Sequence, residues 1–160
     1  PVKGDSRTEI RLIIGAGSLM ENPEQAGVSH FLEHLVFKKT LFGNLNQLGV
    51  KLERDFNAST HYESTIYKIS VPNTPENIGM CLEIFRKNIF TDLFSNVSKD
   101  DIEKEKNVII QELRDRGNEG PFYHEKIGNS IFRNKLPGGT EADIRKINKA
   151  SLESYFRNHF

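Results

Sequence analysis

The stretch VSHFLEHLVF, residues 28–37, sets Phe31, Leu32, Leu35 and Val36 three, four, seven and eight positions after Val28. Apolar residues at those steps share one side of a helix with 3.6 residues per turn, so the segment reads as an amphipathic helix, with Asn22-Pro23 as punctuation before it. Upstream, TEIRLIIGAG (8–17) alternates Ile10, Leu12 and Ile14 with polar neighbours and then meets Gly15 and Gly17, which predicts a half-buried strand followed by a turn. Downstream, a short helix is expected over 41–48, stopped by Gly49. Two strands are expected over 50–55 and 64–71, the second alternating Tyr67, Ile69 and Val71, and the two pair antiparallel.

The remainder reads as helices. Thr74 is placed to cap a helix whose first residue is Pro75 and whose buried stripe is Ile78, Cys81, Leu82, Phe85 and Ile89. Ser98 with Asp101 opens a long helix that ends at Gly117 and turns Ile102, Val108, Ile109 and Leu113 to the core. From Gly117 to Thr140 the chain is rich in glycine and proline, around a helical patch near 123–132. Asn148 or Ser151 then caps a last helix carrying Leu152, Tyr155 and Phe156. Strands first, a hairpin in the middle and helices behind give an α+β fold: a two-layer antiparallel sheet with helices packed on it.

At 160 residues, 36% hydrophobic and 28% charged, the chain suits one globular domain. The 22 basic and 22 acidic residues balance overall and also in each half, which argues against a nucleic-acid or anionic-membrane partner. No apolar run approaches the roughly 18 residues of a membrane span, so a soluble chain is expected. The single cysteine, Cys81, excludes an intramolecular disulfide framework and reads as a core residue. The chain starts at Pro1 and stops at Phe160 inside a helical pattern, and is expected to be one incomplete domain, residues 1–160, from the start of a longer polypeptide.

The chemistry concentrates in His30-Phe31-Leu32-Glu33-His34, an H-x-x-E-H pattern on the first helix. Histidines at i and i+4 stand about 6 Å apart along a helix axis and on one side of it, so both rings reach a single ion. Glu33, three residues after His30, turns to nearly the same side. Two imidazole nitrogens beside a carboxylate are the outline of a hydrolytic zinc site, which needs a third protein ligand from elsewhere and an open position for water. The long helix offers Glu105 and Glu112, seven residues apart on the side of Val108 and Ile109. Carboxylates placed toward a core ask for a cation or histidine partner; pairing with Arg or Lys at the helix edge is the other reading.

HFLEHLVFK, followed 78 positions after His34 by the glutamate of EKNVIIQELRD, resembles the zinc-site signature of the pitrilysin/insulinase family of metallopeptidases, the inverted zincins. GAGSLMENPEQAGVSHFLEH is similar to the family's approach to that motif, FNASTHYESTIYKISVP to its N-A-x-T hairpin, and GGTEADIRKINKASLESYF to its G-T-x-x-x-I segment. The resemblance implies that His30, His34 and Glu112 bind one zinc ion per chain, that Glu33 is the general base, and that Glu105 supports the site from behind its ligands. The activity it implies is zinc-dependent endopeptidase action on peptides or unfolded segments; the alternative within the family is a non-catalytic structural or peptide-binding subunit.

The same resemblance implies that an extended peptide adds to the sheet edge at Asn57, Ala58 and Ser59. Two readings stay open for Phe37, a pocket wall or a core aromatic. His61, His124 and His159 have no i+4 partner and no counterpart in the family and read as surface or local hydrogen-bonding residues. Lys39 stands where the family often has glycine, and the run from Thr40 to Gly49 is short, which bears on substrate selection. The family encloses its substrate between related halves, and an Arg/Tyr pair comes from the distal one, so homologous domains in the same chain or in a partner subunit are expected. The compartment is left open, with the bacterial periplasm or cytoplasm as the family's suggestion.

Overall fold

Strict alternation fixes the central strand. In a computed structural model, which describes residues 4–41, 45, 48–51, 54–91, 93–95, 97–115 and 130–160, side chains excepted at 39–41, Thr65–Pro72 buries Thr65, Tyr67, Ile69 and Val71 on one face. We number the strands β1 (Arg7–Ile14), β2 (Phe56–Thr60) and β3 (Thr65–Pro72). They form one antiparallel sheet in the order β1-β3-β2. Arg7 lies opposite Pro72 and Ile14 opposite Thr65, while Phe56 lies opposite Ile69 and Thr60 opposite Thr65.

The helices are α1 (Val28–Leu35), α2 (Pro75–Phe85), α3 (Lys99–Asp115), α4 (Glu141–Lys146) and α5 (Lys149–His159). A wider π-helical turn prolongs α1 over Val36–Leu41, and another prolongs α2 over Arg86–Thr91. Their starts follow the expected chemistry. Thr74 Oγ1 accepts from Asn77 N–H at 3.2 Å, Ser98 and Asp101 cap each other ahead of α3, and Asn148 Oδ1 accepts from Ser151 N–H at 3.0 Å. The α+β architecture expected from the sequence is the one observed, with α1 laid across β2 and β3 and flanked by α3 and α5.

Four details differ. The strand expected over 50–55 begins at Phe56, because Asp55 closes a turn: its N–H donates to the Lys51 carbonyl at 2.8 Å and its carboxylate accepts from Lys51 N–H at 3.0 Å. On α2, Ile84 is buried and Leu82 is exposed; on α3, Ile110 is buried and Val108 is exposed. Helix α4 was not expected, although Thr140 and Asp143 cap it reciprocally. Residues 131–134 form a turn. The remainder of the expected patch at 123–132, His124, the stop at Gly117, and most of the expected short helix lie outside the described residues. Cys81 is fully buried, as expected, and burial pushes its thiol up to about 11.

Gly17 joins β1 to the hairpin loop. Ser18 N–H and Leu19 N–H donate to the carbonyls of His61 and Tyr62 at 3.2 and 2.8 Å, and a Cβ on Gly17 would stand 2.3 Å from the His61 oxygen. Backbone blocks that position, whereas Gly79 in α2 has open space around it. Gly17→Ala is therefore expected to destabilise by about 1–3 kcal/mol through overpacking, and Gly79→Ala to stabilise by about 0.5–1 kcal/mol by removing a helical glycine. Thermal melts of the two variants beside the parent protein test the opposite signs; a Gly17→Ala melt at the parent temperature would contradict the close docking.

Candidate functional site

Packing decides which way α1 turns its polar side chains. Val28, Phe31, Leu32 and Leu35 are buried in the common core. That orientation brings His30 and His34 to α3 and Glu33 to the end of β2. His30 is 4% exposed, so its ring sits in a largely dry seam.

Among the described residues, one group of His, Cys, Asp and Glu side chains is close enough to share a cation: His30, His34 and Glu112, with ligand atoms all within 4.8 Å of one another. His34 Nε2 lies 3.2 Å from His30 Nε2 and 3.0 Å from Glu112 Oε2, and His30 Nε2 lies 3.7 Å from that same oxygen. Ligands about 2.1 Å from a tetrahedral zinc ion are about 3.4 Å from each other. The three observed separations bracket that value, and two imidazoles with one carboxylate are a donor set that zinc accepts. The residues present fit the metal.

Glu105 stands behind this group. It is 3% exposed, and its Oε1 lies 2.8 Å from His34 Nδ1, the ring nitrogen turned away from Glu112. Its other oxygen pairs with Lys38 Nζ at 2.8 Å. Burial alone would raise the Glu105 carboxyl, but hydrogen bonds from His34 and Lys38 reverse that and hold it below the ordinary range. Burial likewise pulls the His34 imidazole down; hydrogen bonds to Glu105 and Glu112 outweigh it and leave the ring at about 9. The second reading of the two glutamates is met in one respect, since Lys38 does pair with Glu105, at the same 2.8 Å as His34, while Glu112 meets both histidines.

Glu33 stays outside the shared group. The Thr60 hydroxyl donates to its Oε2 at 2.5 Å, tying the carboxylate to the last residue of β2. Tyr67, wholly buried in the middle of β3, is pushed well up by burial and next by the charge of Glu33, so its phenol keeps its proton. Asn57, Ala58 and Ser59 lie on β2, an edge of the described sheet, with Asn57 exposed and the other two half-buried. Phe37 stacks on Phe56 with ring centres 4.8 Å apart, so its ring packs where the helix end meets β2. His61 is exposed and bonds Ser59 Oγ at 3.0 Å, and His159 lies against Tyr155.

Three residues of the neighbourhood escaped the sequence reading. Lys38 carried a signal, since it follows His34 by one helical turn. Thr60 closes the N-A-S-T run but its partner is 27 residues away. Glu21, treated below, had no local signal.

Comparisons with known proteins identify the family. Residues 3–141 match the family model for insulinase, peptidase family M16. An uncharacterised zinc protease of Rickettsia felis is 31% identical over 157 residues, covering 94% of this chain and 35% of that protein. The periplasmic protease PqqL of Escherichia coli shares the fold at a TM-score of 0.76 and 24% identity, over 95% of this chain and 18% of PqqL. An inactive M16 peptidase domain from Pseudomonas fluorescens does so at 0.74 and 15% identity, over 97% of this chain and 39% of that one. The chain thus spans about a third of the curated relative and less than a fifth of PqqL. With most of its length matched in sequence and its fold shared by solved relatives, the chain belongs to the insulinase family of peptidases, family M16.

Proposed function

We propose that this chain is the zinc-binding peptidase domain at the start of a longer polypeptide and hydrolyses peptide bonds in peptides or unfolded protein segments. The observation that carries the reading is the compact group of His30, His34 and Glu112 with Glu33 beside it and outside it. The two histidines and Glu112 would hold one zinc ion, which when bound would acidify a water and polarise a carbonyl. Glu33, steadied by Thr60, takes a proton from the attacking water and delivers it to the leaving amine nitrogen. Glu105 orients the His34 ring through Nδ1 and leaves Nε2 turned to His30 and Glu112, where it would meet the ion. The β2 edge, at Asn57, Ala58 and Ser59, aligns an extended peptide by main-chain hydrogen bonds, with Phe37 beside it.

The fold is also that of a chain described as an inactive M16 domain, so fold alone does not separate peptidase from scaffold. The intact donor group favours the peptidase. Homologous domains, in the same polypeptide or a partner, complete the enclosure, and the isolated chain is expected to be poorly active. Among the described residues no helix is long and apolar enough to cross a membrane.

The purified protein at full length is expected to carry near-stoichiometric zinc, lost on His30→Ala or Glu112→Ala and kept by Glu33→Gln, while Glu33→Gln abolishes cleavage of an unstructured peptide. Metal analysis beside a peptide assay reads both. Loss of zinc from Glu33→Gln as complete as from His30→Ala would contradict the division of roles, and cleavage of no peptide in a broad library by the zinc-loaded parent would favour the scaffold.

Glu105→Gln should weaken zinc binding about 10–100-fold without unfolding the protein, because it removes the charged partner of His34 Nδ1. Chelator competition measures this, and unchanged affinity would reduce Glu105 to a partner of Lys38.

A further inference from the structure

We infer that Glu21 is a positioning residue for His30, its buried carboxylate fixing the first turn of α1 so that the ring stands where a cation is gripped; this rests on the zinc reading above. Gly27, the residue before α1, has φ +84° and no side chain, so it cannot cap the helix as Ser, Thr, Asp or Asn would. Glu21 does so from six residues upstream. Its Oε2 accepts from Gly27 N–H at 2.9 Å, and its Oε1 accepts from Ser29 N–H at 2.8 Å and from the Ser29 hydroxyl at 2.7 Å. Both oxygens are thus spent on the two residues that precede His30 by three and by one.

The arrangement is anchored at both ends. Tyr155 of α5 donates its hydroxyl proton to the Gly17 carbonyl at 2.9 Å, and the same oxygen lies 2.9 Å from Ser29 Oγ, which packs this turn against the stretch after β1. The Lys135 ammonium bonds the Glu21 carbonyl, and the Ser18 hydroxyl donates to the Lys135 carbonyl at 2.6 Å. Three residues after Lys135, Gly138 lies against the ring: a Cβ there would stand 3.7 Å from His30 Nδ1 and 2.9 Å from Leu113 Cδ2, next to Glu112. Burial pushes the Glu21 carboxyl up to about 7 while Ser29 and Gly27 pull against that rise. A carboxyl kept 3% exposed at such a cost serves donors that an apolar residue would leave unsatisfied. Slack at Ser29 passes to His30, the most enclosed member of the metal group, and displaced ligands lose affinity.

The test uses the protein at full length, stripped of metal, with zinc itself as the probe. Zinc affinity is measured by chelator competition well below the melting temperature, for the parent, Glu21→Gln, Ser29→Ala and, as a control for general loosening, Val71→Ala in the core of β3. The cobalt-substituted absorption spectrum is recorded for each. Glu21→Gln is expected to bind zinc about tenfold or more weakly and to alter the cobalt spectrum. Ser29→Ala should fall between it and the parent, and Val71→Ala should keep the parent affinity and spectrum despite a lowered melting temperature. Parent-like affinity in Glu21→Gln, with the parent binding zinc, overturns the inference and leaves the proposed function standing; an equal loss in Val71→Ala overturns it too. A parent that binds no zinc removes both. Should Glu21→Gln fail to fold, Ser29→Ala decides, and parent-like affinity and spectrum in it overturn the inference.

Discussion

Helix α1 is pressed between the sheet, α3 and α5, so the polar groups it carries are largely withdrawn from water and meet partners inside the protein. A buried polar atom without a partner costs about 1–3 kcal/mol, and a charged one more. The rest of the arrangement answers that demand. Glu21 takes the amides of the first turn, α3 brings Glu105 and Glu112 to the two rings, and Thr60 at the end of β2 takes Glu33. The histidine pair at i and i+4 is then held from three sides, because its helix start, its flank and its far face are each bonded to a different part of the fold.

The two glutamates of α3 divide the work by depth. Seven residues apart, they lie two turns apart on one side of the helix, and the difference in exposure between them, 4% for the Glu105 side chain against 30% for Glu112, follows from the position of α1 across α3. The deeper one meets Nδ1 of His34, which leaves Nε2 to face His30 and Glu112. The shallower one meets Nε2 of both rings, at the side open to solvent. Lys38, on the turn after α1, brings a positive charge to the outer oxygen of Glu105, so that carboxylate is bonded from two sides.

What the sequence made legible was local. The H-x-x-E-H spacing, the caps at Thr74 and Ser98, and the alternation of Tyr67, Ile69 and Val71 are signals carried within four residues, and each corresponds to an element in place. Periodicity failed where a turn or a stripe edge intervened. Asp55 ended a run that read as strand, and the apolar stripe of α3 shifted so that Ile110 rather than Val108 went inside. The cap of α1 was illegible for another reason: its donors belong to residues 27 and 29 and its support to residue 155, and only the folded chain joins them.

Strand β2 links the two halves of the proposed chemistry. Its register against β3 is fixed at both ends, Phe56 opposite Ile69 and Thr60 opposite Thr65, so the five residues move as one piece with the sheet. Thr60 holds Glu33, and Phe56 stacks under Phe37 at the end of the helix that bears both histidines. On the proposed reading, the residues between them, Asn57 to Ser59, set the height of a bound peptide relative to the sheet. On that reading, a backbone aligned on that edge is placed with respect to the Glu33 carboxylate through the Thr60 hydrogen bond. Main-chain pairing carries little information about side chains, so this coupling fixes where a peptide bond lies while leaving its sequence free. On the proposed reading, tight geometry at the reacting atoms and tolerance of sequence then follow from one strand serving both purposes.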